Sequence, residues 1–580
     1  MPVSKQEVNT AIKQMKAGKA AGIDGIYPDM IKHLDPNAIN WLALSLSDVI
    51  DKSEYPQTWR EAKILAILKP GKPSNDPSSY RPISLLCCFF KLLERILQTR
   101  IAPQLDPYIP IEQAGFRPGR DTTEQVLALT TYIEMGYERK QKTGAVFIDL
   151  SAAYDTVWHN GLMYKLAKCI PCKKTLKLLN KMSGSRIYHV CLGDKISKKR
   201  TIKNGVPQGS VLAPTLFNIY ISDLPQTTSL KLGYANDFVL SHQSSDIKQI
   251  QETLSHDTRK LQVFFNKWYL NMNTTKTVST LFHLDNHKAN LQLAIRVGNS
   301  KLPYDSSPKY LGVTLDRSLT YKQHIENTAT KLRKRNGIIK KLAGTSWGAT
   351  PTVLKTSSLA LSYSVAEYCA PVWSRSKHVN KLDVLLNDTM RTISGTLKST
   401  PTSWLPVMSA IAPPNIRRQE ATQKQHHRIE NTLIDTPLKT IIQSAPTTSR
   451  LKSRKPFYNS KIESFDLNNT WKEQWSENKP RGTDLIKDPT NVPLPGFKKL
   501  TRKQWSTCNR IRSKQGRTAN NLYRWGYKDS PTCPSCNATN QNMDHIILQC
   551  PFTRIEGGYA TVHKADDNFA SWLDETHMEV

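Results

Sequence analysis

Residues 144–150 read GAVFIDL, and residues 231–240 read KLGYANDFVL. The first is a short apolar run that ends in an acid, as a buried strand does when it presents a carboxylate at its tip. The second has two apolar arms around Ala235-Asn236-Asp237, a strand–turn–strand pattern. Asp149 and Asn236 are 87 positions apart, with the loop Gly205-Val-Pro-Gln-Gly209 and a helical pattern over 214–224 between them. Two strand ends that hold carboxylates side by side suit a pair of Mg²⁺ ions, which take oxygen ligands from one or two carboxylates and from substrate phosphates. Such a pair activates an attacking hydroxyl and stabilises the leaving oxygen of an in-line displacement. An isolated acid at a strand end is more often a surface cap, so the reading rests on the whole set.

Working outward, an amphipathic pattern predicts helices over 3–17, 84–101 and 247–270. Strands are predicted at 62–69 and 310–315, with mostly helical structure from 321 to about 430. Residues 431–500 are rich in Pro, Ser and Thr with weak periodicity, and read as a connector. The 580 residues carry 81 Lys and Arg against 48 Asp and Glu, a formal charge of +33. Residues 321–520 alone hold 35 basic and 13 acidic residues, two-thirds of the excess. They include Lys331–Arg335, Lys340-Lys341, Arg450–Lys455 and Arg510–Lys514. Nucleic acid is the leading class of partner and an anionic membrane surface the second; a solvated surface and a nuclear import signal are other readings of such runs. No apolar run reaches the about 18 residues of a membrane span, and the first 20 residues show no signal-peptide core. Ten cysteines are ordinary usage and not a disulfide framework.

Cys533, Cys536, His545 and Cys550 form a CxxC–x8–H–x4–C array. Three thiolates and one imidazole give the closed tetrahedral shell of a structural Zn²⁺. Cys169 and Cys172 also form CxxC, but lack a second pair and read as packing residues.

The blocks KAAGIDGI (19–26), LKPGKPSNDPSSYRPISLL (68–86), QAGFRPGRDTTEQV (113–126), VFIDLSAAYDTVWH (146–159), GVPQGSVLAPTLFNIYISDL (205–224), YAND (234–237), LNMNTTKT (270–277) and YLGVTLD (310–316) occur in one order. In that order they resemble the reverse transcriptases of non-LTR (LINE-type) retrotransposons, particularly the Jockey-like group. The resemblance implies an α+β right-hand polymerase. Its divisions are fingers and the start of the palm over 1–130, a palm with an antiparallel sheet over 131–320, a helical thumb over 321–430, a basic connector over 431–508, and a C-terminal region with a zinc knuckle over 509–580. It implies RNA-directed DNA synthesis, with RNA template, DNA primer or target DNA and dNTPs as partners, two Mg²⁺ and one Zn²⁺ as cofactors, and a nuclear and cytoplasmic location without membrane attachment.

The resemblance also implies roles. Asp149 is the palm metal ligand, and Tyr154 excludes a ribose 2′-hydroxyl. Lys69, Lys72 and Arg81 belong to blocks that bind the incoming triphosphate, with Arg81 favoured for its bidentate guanidinium and the lysines open to a reading as turn decoration. Gln208 braces template and nucleotide, and Lys276 protonates departing pyrophosphate. Asp155 is open between a second acid and a structural hydrogen-bonding group. The family turn is Tyr-Ala-Asp-Asp, whereas this chain has Asn236 before Asp237. A neutral amide in place of a ligand carboxylate weakens the metal site, with Asp237 as a substitute ligand of different direction. The group also carries an upstream endonuclease, which does not precede Lys19 here. The alternative expectation is therefore a catalytically inactive remnant that still binds RNA and DNA.

Overall fold

The apolar run around Phe147 becomes a buried central strand, and the site is built at its end. The computed structural model describes residues 2–576 except 185, 299, 345–346, 447–449, 452–453 and 479–484. The chain divides into two units, Met1–Leu311 with Asp435–Ser444, and Gly312–Ile434 with Ala445–Val580.

Ten strands of the first unit form two five-stranded sheets. In chain order they are β1 (Glu61–Leu68), β2 (Tyr80–Leu85), β3 (Lys142–Ser151), β4 (Arg186–Leu192), β5 (Lys195–Ile196), β6 (Arg200–Ile202), β7 (Leu230–Tyr234), β8 (Asp237–Ser244), β9 (Asn271–Met272) and β10 (Val278–Phe282). One sheet has the order β2-β1-β4-β5, with β6 also on β4; β1 and β4 run parallel and the other pairs antiparallel. The other is wholly antiparallel in the order β10-β3-β8-β7, with β9 added to the end of β3. Helices cover the β3 sheet, so β3 is buried along almost its whole length, as a central strand's continuous apolar run requires. The helix Ile247–Lys267 supplies Ile250, Leu254, Leu261 and Phe265 at helical spacing to that core.

The expected α+β class, the antiparallel sheet around 144–150 and the long helices are present. The run 310–315 is not one strand. Tyr310 ends a two-residue strand, Val313-Thr314 forms another, and Leu311 and Gly312 between them have positive φ. Nor are residues 431–500 a bare connector: Pro437–Gln443 is a helix packed on the helix Thr122–Glu138, and Leu467–Glu477 is a helix that buries Trp471 and Trp475.

In the second unit, the helix Lys322–Leu342 buries Leu332, Asn336 and Ile339 and leaves Lys331, Arg333, Lys334 and Arg335 exposed. That cationic run is therefore the solvent face of an amphipathic helix. Arg510–Lys514 differs. Arg512 is fully buried and donates to the carbonyls of Pro495 and His563, Arg510 donates to that of Gly395, and Lys514 pairs with Asp544 at 2.7 Å. These charges hold the fold together and are not a free phosphate-binding run. Within Arg450–Lys455, residues 452–453 lie outside the described residues.

Candidate active site and metal centre

Asp149 lies two residues from the C-terminal end of β3, and β8 begins with Asp237. The antiparallel register pairs these two residues directly. Directly opposed residues of an antiparallel pair point to the same face, with Cβ atoms about 4.5–5.5 Å apart. Asp237 thus faces the same way as Asp149. Desolvation, with the Asp149 charge added, raises the Asp237 carboxyl above the ordinary range even though the residue is exposed. Tyr310, tilted against Phe147 with ring centroids 5.6 Å apart, is raised too, chiefly by burial and further by Asp237.

The pairing of Tyr234 with Asp237 leaves Ala235 and Asn236 as a two-residue hairpin turn. Ala235 sits at φ +59°, where an L residue is strained. Its surroundings hold it there. The buried Gln113 side chain donates to the Ala235 carbonyl and accepts from the Ala235 N–H, both at 2.9 Å, while the same oxygen accepts from Gly115 N–H at 3.0 Å. A Cβ on Gly115 would lie 2.2 Å from the Ala235 nitrogen, so only glycine lets this loop approach the turn. Gln113 and Gly115 were visible in the QAGF block, but nothing local to that block assigns them this task.

A turn brings Lys276 to Asp149. The Asn273 N–H donates to the Asp149 carbonyl at 2.9 Å, and the Asn273 side chain accepts from the N–H groups of Thr275 and Lys276. This turn places Lys276 Nζ 3.9 Å from Asp149 Oδ2, largely exposed, and Thr277 Oγ1 accepts from the Asp149 N–H. Asp149, Asp237 and Lys276 therefore converge at one end of the sheet, with Asn236 half-buried in the turn beside them.

Tyr154 stacks on Phe217 at 4.7 Å with 14° between the planes, and meets Phe116 edge-on at 6.4 Å. Its hydroxyl is buried without a hydrogen-bond partner among the described residues, and burial raises its pKa. Asp155 and Gln208 meet through long contacts of 3.4–3.5 Å. Desolvation raises Asp155, opposed by Gln208 and the nearby Arg186. Both line a cavity of about 870 Å³ with Tyr80, Pro82, Ser84 and Arg186. The Ser84 N–H donates to the Gln208 carbonyl at 2.8 Å, which ties the loop to β2.

Lys69, Lys72 and Arg81 are not gathered with these groups. Arg81 alternates with Tyr80 and Pro82, which line the cavity, so it projects from the opposite face of β2 and is exposed. Lys69 donates to the Ser78 carbonyl at 2.9 Å within its own hairpin, and Lys72 is exposed on the loop.

Glu94 was not singled out from the sequence, yet it lies directly behind the Gln208 loop. Its fully buried carboxylate accepts from the Ser210 hydroxyl and from the Val211 N–H. Burial raises its pKa to about 7, the hydrogen bonds from Ser210 and Val211 notwithstanding.

In the second unit, donor atoms of Cys533, Cys536, His545 and Cys550 all lie within 4.8 Å of one another. Cys536 Sγ is 3.2 Å from His545 Nε2, and Gln541 Nε2 donates to Cys533 Sγ at 3.5 Å. Burial would raise the Cys533 thiol, but the N–H groups of Cys536 and Ser535 and the His545 ring outweigh it and lower the pKa to about 6. This closed set fits a tetrahedral ion with bonds of about 2.0–2.3 Å. Cys169 is buried and Cys172 exposed, and among the described residues neither joins a metal-binding cluster.

Residues 67–315 match the family described as reverse transcriptase (RNA-dependent DNA polymerase), and residues 493–555 match zinc-binding in reverse transcriptase. Over 414 residues the chain is 32% identical to the probable RNA-directed DNA polymerase from transposon BS of Drosophila melanogaster, covering 68% of this chain and 45% of that protein. It is 31% identical over 410 residues to the RNA-directed DNA polymerase from mobile element jockey of the same organism, covering 68% and 44%. Similarity at 22% identity extends over 94% of this chain and 54% of the Pol polyprotein from type-1 retrotransposable element R1 of Bradysia coprophila. The chain spans about half the length of these curated relatives. Asp149 and the Asn236-Asp237 turn both fall inside the first matched segment, and all four Cys and His donors fall inside the second. The chain belongs to the reverse transcriptases of jockey-like non-LTR retrotransposons.

Proposed function

We propose that the chain carries out RNA-directed DNA synthesis, transferring a nucleotide from a dNTP to the 3′-hydroxyl of a DNA primer on an RNA template. The observation that carries this reading is the register pairing of Asp149 with Asp237, with Lys276 3.9 Å from Asp149. In this reading the first unit supplies fingers and palm, and the helices from Lys322 to Asn431 supply the thumb. Asp149 and Asp237 would hold Mg²⁺, which supplies two-ion activation of the primer hydroxyl and of the leaving oxygen. Lys276 stands beside Asp149 to offset charge on the departing pyrophosphate and give it a proton. The Tyr154 ring, fixed by its stack on Phe217, closes the space a ribose 2′-hydroxyl needs. Cys533, Cys536, His545 and Cys550 would hold a structural Zn²⁺, and priming at chromosomal DNA would place the protein in the nucleus.

Asn236 favours a second reading, of a chain that binds nucleic acid but turns over weakly. The side-chain oxygen it offers is that of a neutral amide, so the pair of ions loses a full negative charge. Loss of a single oxyanion-stabilising donor costs about 10²–10³ in rate, and a ligand carboxylate should matter at least as much. Primer extension with Mg²⁺ and dNTPs, comparing the chain with its Asn236→Asp variant, separates the readings. Extension by the variant alone, at 10²-fold or more above the parent, marks an intact polymerase fold with a weakened site. Comparable extension by both makes Asp237 a sufficient ligand. Extension by neither overturns the polymerase reading.

A further inference from the structure

Ahead of the metal-ligand cysteines, residues 523–528 read Tyr-Arg-Trp-Gly-Tyr-Lys, and all six are exposed. Tyr523, Trp525 and Tyr527 are 49%, 40% and 79% exposed. Among the described residues, none of the three rings packs on another ring or cation. Three large aromatics within five residues, all left to water, is a costly arrangement for a surface that meets nothing.

The backbone beneath them is fixed. The helix Ala519–Arg524 ends with Gly526 at φ +78°, where the Tyr527 N–H donates to the Leu522 carbonyl at 2.8 Å and the Gly526 N–H to that of Tyr523 at 3.0 Å. This is a Schellman cap, whose residue after the glycine usually folds back onto the helix as an apolar contact. Here that residue is Tyr527, the most exposed of the three. The helix is also tied to the cysteine array: Gln541 accepts from the N–H groups of Ala519 and Asn520, and its amide donates to Cys533 Sγ. Cations predominate around them: Arg517, Arg524 and Lys528 are exposed, against one exposed acid, Asp529, directly after Lys528.

We infer that Tyr523, Trp525 and Tyr527 form a rigid stacking shelf for the bases of a single-stranded nucleic acid, whose phosphates Arg517, Arg524 and Lys528 contact. Interleaved rings and cations are the arrangement that holds single strands without reading their sequence, because every base has a face to stack while a duplex hides its faces. Charge complementarity selects this occupant over an apolar protein partner, which would leave the excess of three cations over Asp529 uncompensated. The inference does not rest on nucleotide transfer at Asp149.

The test uses the full chain and a 4-thiouridine-labelled single strand of about 12 nucleotides, with a duplex of equal length as comparison. Photocrosslinks mapped by mass spectrometry should fall on the peptide holding 523–528 with the single strand and not with the duplex. Combined Tyr523→Ala, Trp525→Ala and Tyr527→Ala substitution should weaken single-strand binding about tenfold or more with an unchanged salt slope. Combined Arg517→Ala, Arg524→Ala and Lys528→Ala substitution should lower that slope by about 2, at about 0.7 for each phosphate contact. All six side chains are exposed, and circular dichroism checks that both variants are folded. Crosslinks lying wholly outside 523–528 overturn the inference. So does an aromatic variant that keeps its crosslinks and its affinity but loses self-association in sedimentation, which would mark the shelf as a protein interface.

Discussion

The turn that carries Asn236 and Asp237 depends on a residue more than a hundred positions away, and that dependence can be measured. Replacing Gln113 by leucine keeps a buried side chain of similar length but removes every hydrogen bond the amide makes. The Ala235 N–H, the Ala235 carbonyl and the Gly115 N–H would be left without these partners in a place where Gln113 is only 2% exposed. An orphaned buried polar group costs about 1–3 kcal/mol. Three together give roughly 3–6 kcal/mol, allowing for relaxation of the turn and entry of water. Release of the strained Ala235 backbone, of order 1 kcal/mol, adds to the tendency to open. Global unfolding of a two-unit chain is a poor gauge of a local effect, so amide hydrogen exchange is the assay of choice. At about 1.4 kcal/mol per factor of ten, exchange at Ala235 and Gly115 should rise by at least 10²-fold, while amides in the middle of β3 change little. In the Asn236→Asp background, primer extension should fall at least tenfold, because the acids lose their fixed position relative to Asp149. Exchange at Ala235 that stays within threefold of the parent would refute the claim that Gln113 holds the turn.

Other outcomes follow from the same geometry. Glu94 has its pKa raised from about 4.5 to about 7, so the folded state holds a proton that the unfolded chain has already released. Its contribution is complete below pH 4.5 and is lost as pH rises through 7. Glu94→Gln should therefore flatten the pH dependence of stability across that window, read as melting temperature against pH. Tyr154→Val, made in the Asn236→Asp background, opens the space beside Phe217 and should raise ribonucleotide incorporation relative to deoxyribonucleotide, measured by competitive extension. Purified protein should contain one Zn²⁺ per chain by elemental analysis. Cys536→Ser should abolish that stoichiometry and lower the melting temperature of the C-terminal region, and a metal-free parent would sink the assignment.

What the sequence reveals here follows how local each signal is. The runs GAVFIDL and KLGYANDFVL announce buried strands because their apolar residues are contiguous, and β3, β7 and β8 form where those runs lie. The eight ordered blocks carry the family, and the spacing of Cys533, Cys536, His545 and Cys550 carries the metal centre. The relation between the two acids was not legible, since it depends on register. With Ala235 and Asn236 as the turn, Asp237 falls opposite Asp149, and a slip of one residue would turn it to the other face. A register fixed by the Gln113 amide from another loop leaves no local trace. Strand alternation likewise separates Arg81 from the cavity that its neighbours line, although block order places it among substrate-binding residues.

Charge counting fails for a related reason. A count gives every arginine to solvent, yet the chain uses the guanidinium's five donors to bind carbonyl oxygens inside the fold. Arg502 donates to the carbonyls of Ile393 and Thr392, Arg510 to that of Gly395, and Arg512 to those of Pro495 and His563. Burial lowers the pKa of Arg502 to about 10, and that of Arg512 falls as well, which marks these groups as desolvated. The surplus charge of residues 321–520 therefore overstates the surface open to phosphate. Among the exposed cations of the described residues, two sets are instructive: the face of Lys331, Arg333, Lys334 and Arg335 on one helix, and Arg517, Arg524 and Lys528 around the aromatic shelf. The first presents cations without exposed rings among them, which suits the backbone of any nucleic acid. The second pairs cations with three exposed aromatics, which favours a strand whose bases are free. A salt titration of duplex and single-strand binding should accordingly show Lys331→Ala and Arg335→Ala weakening both ligands alike. Loss of the shelf cations should weaken the single strand more.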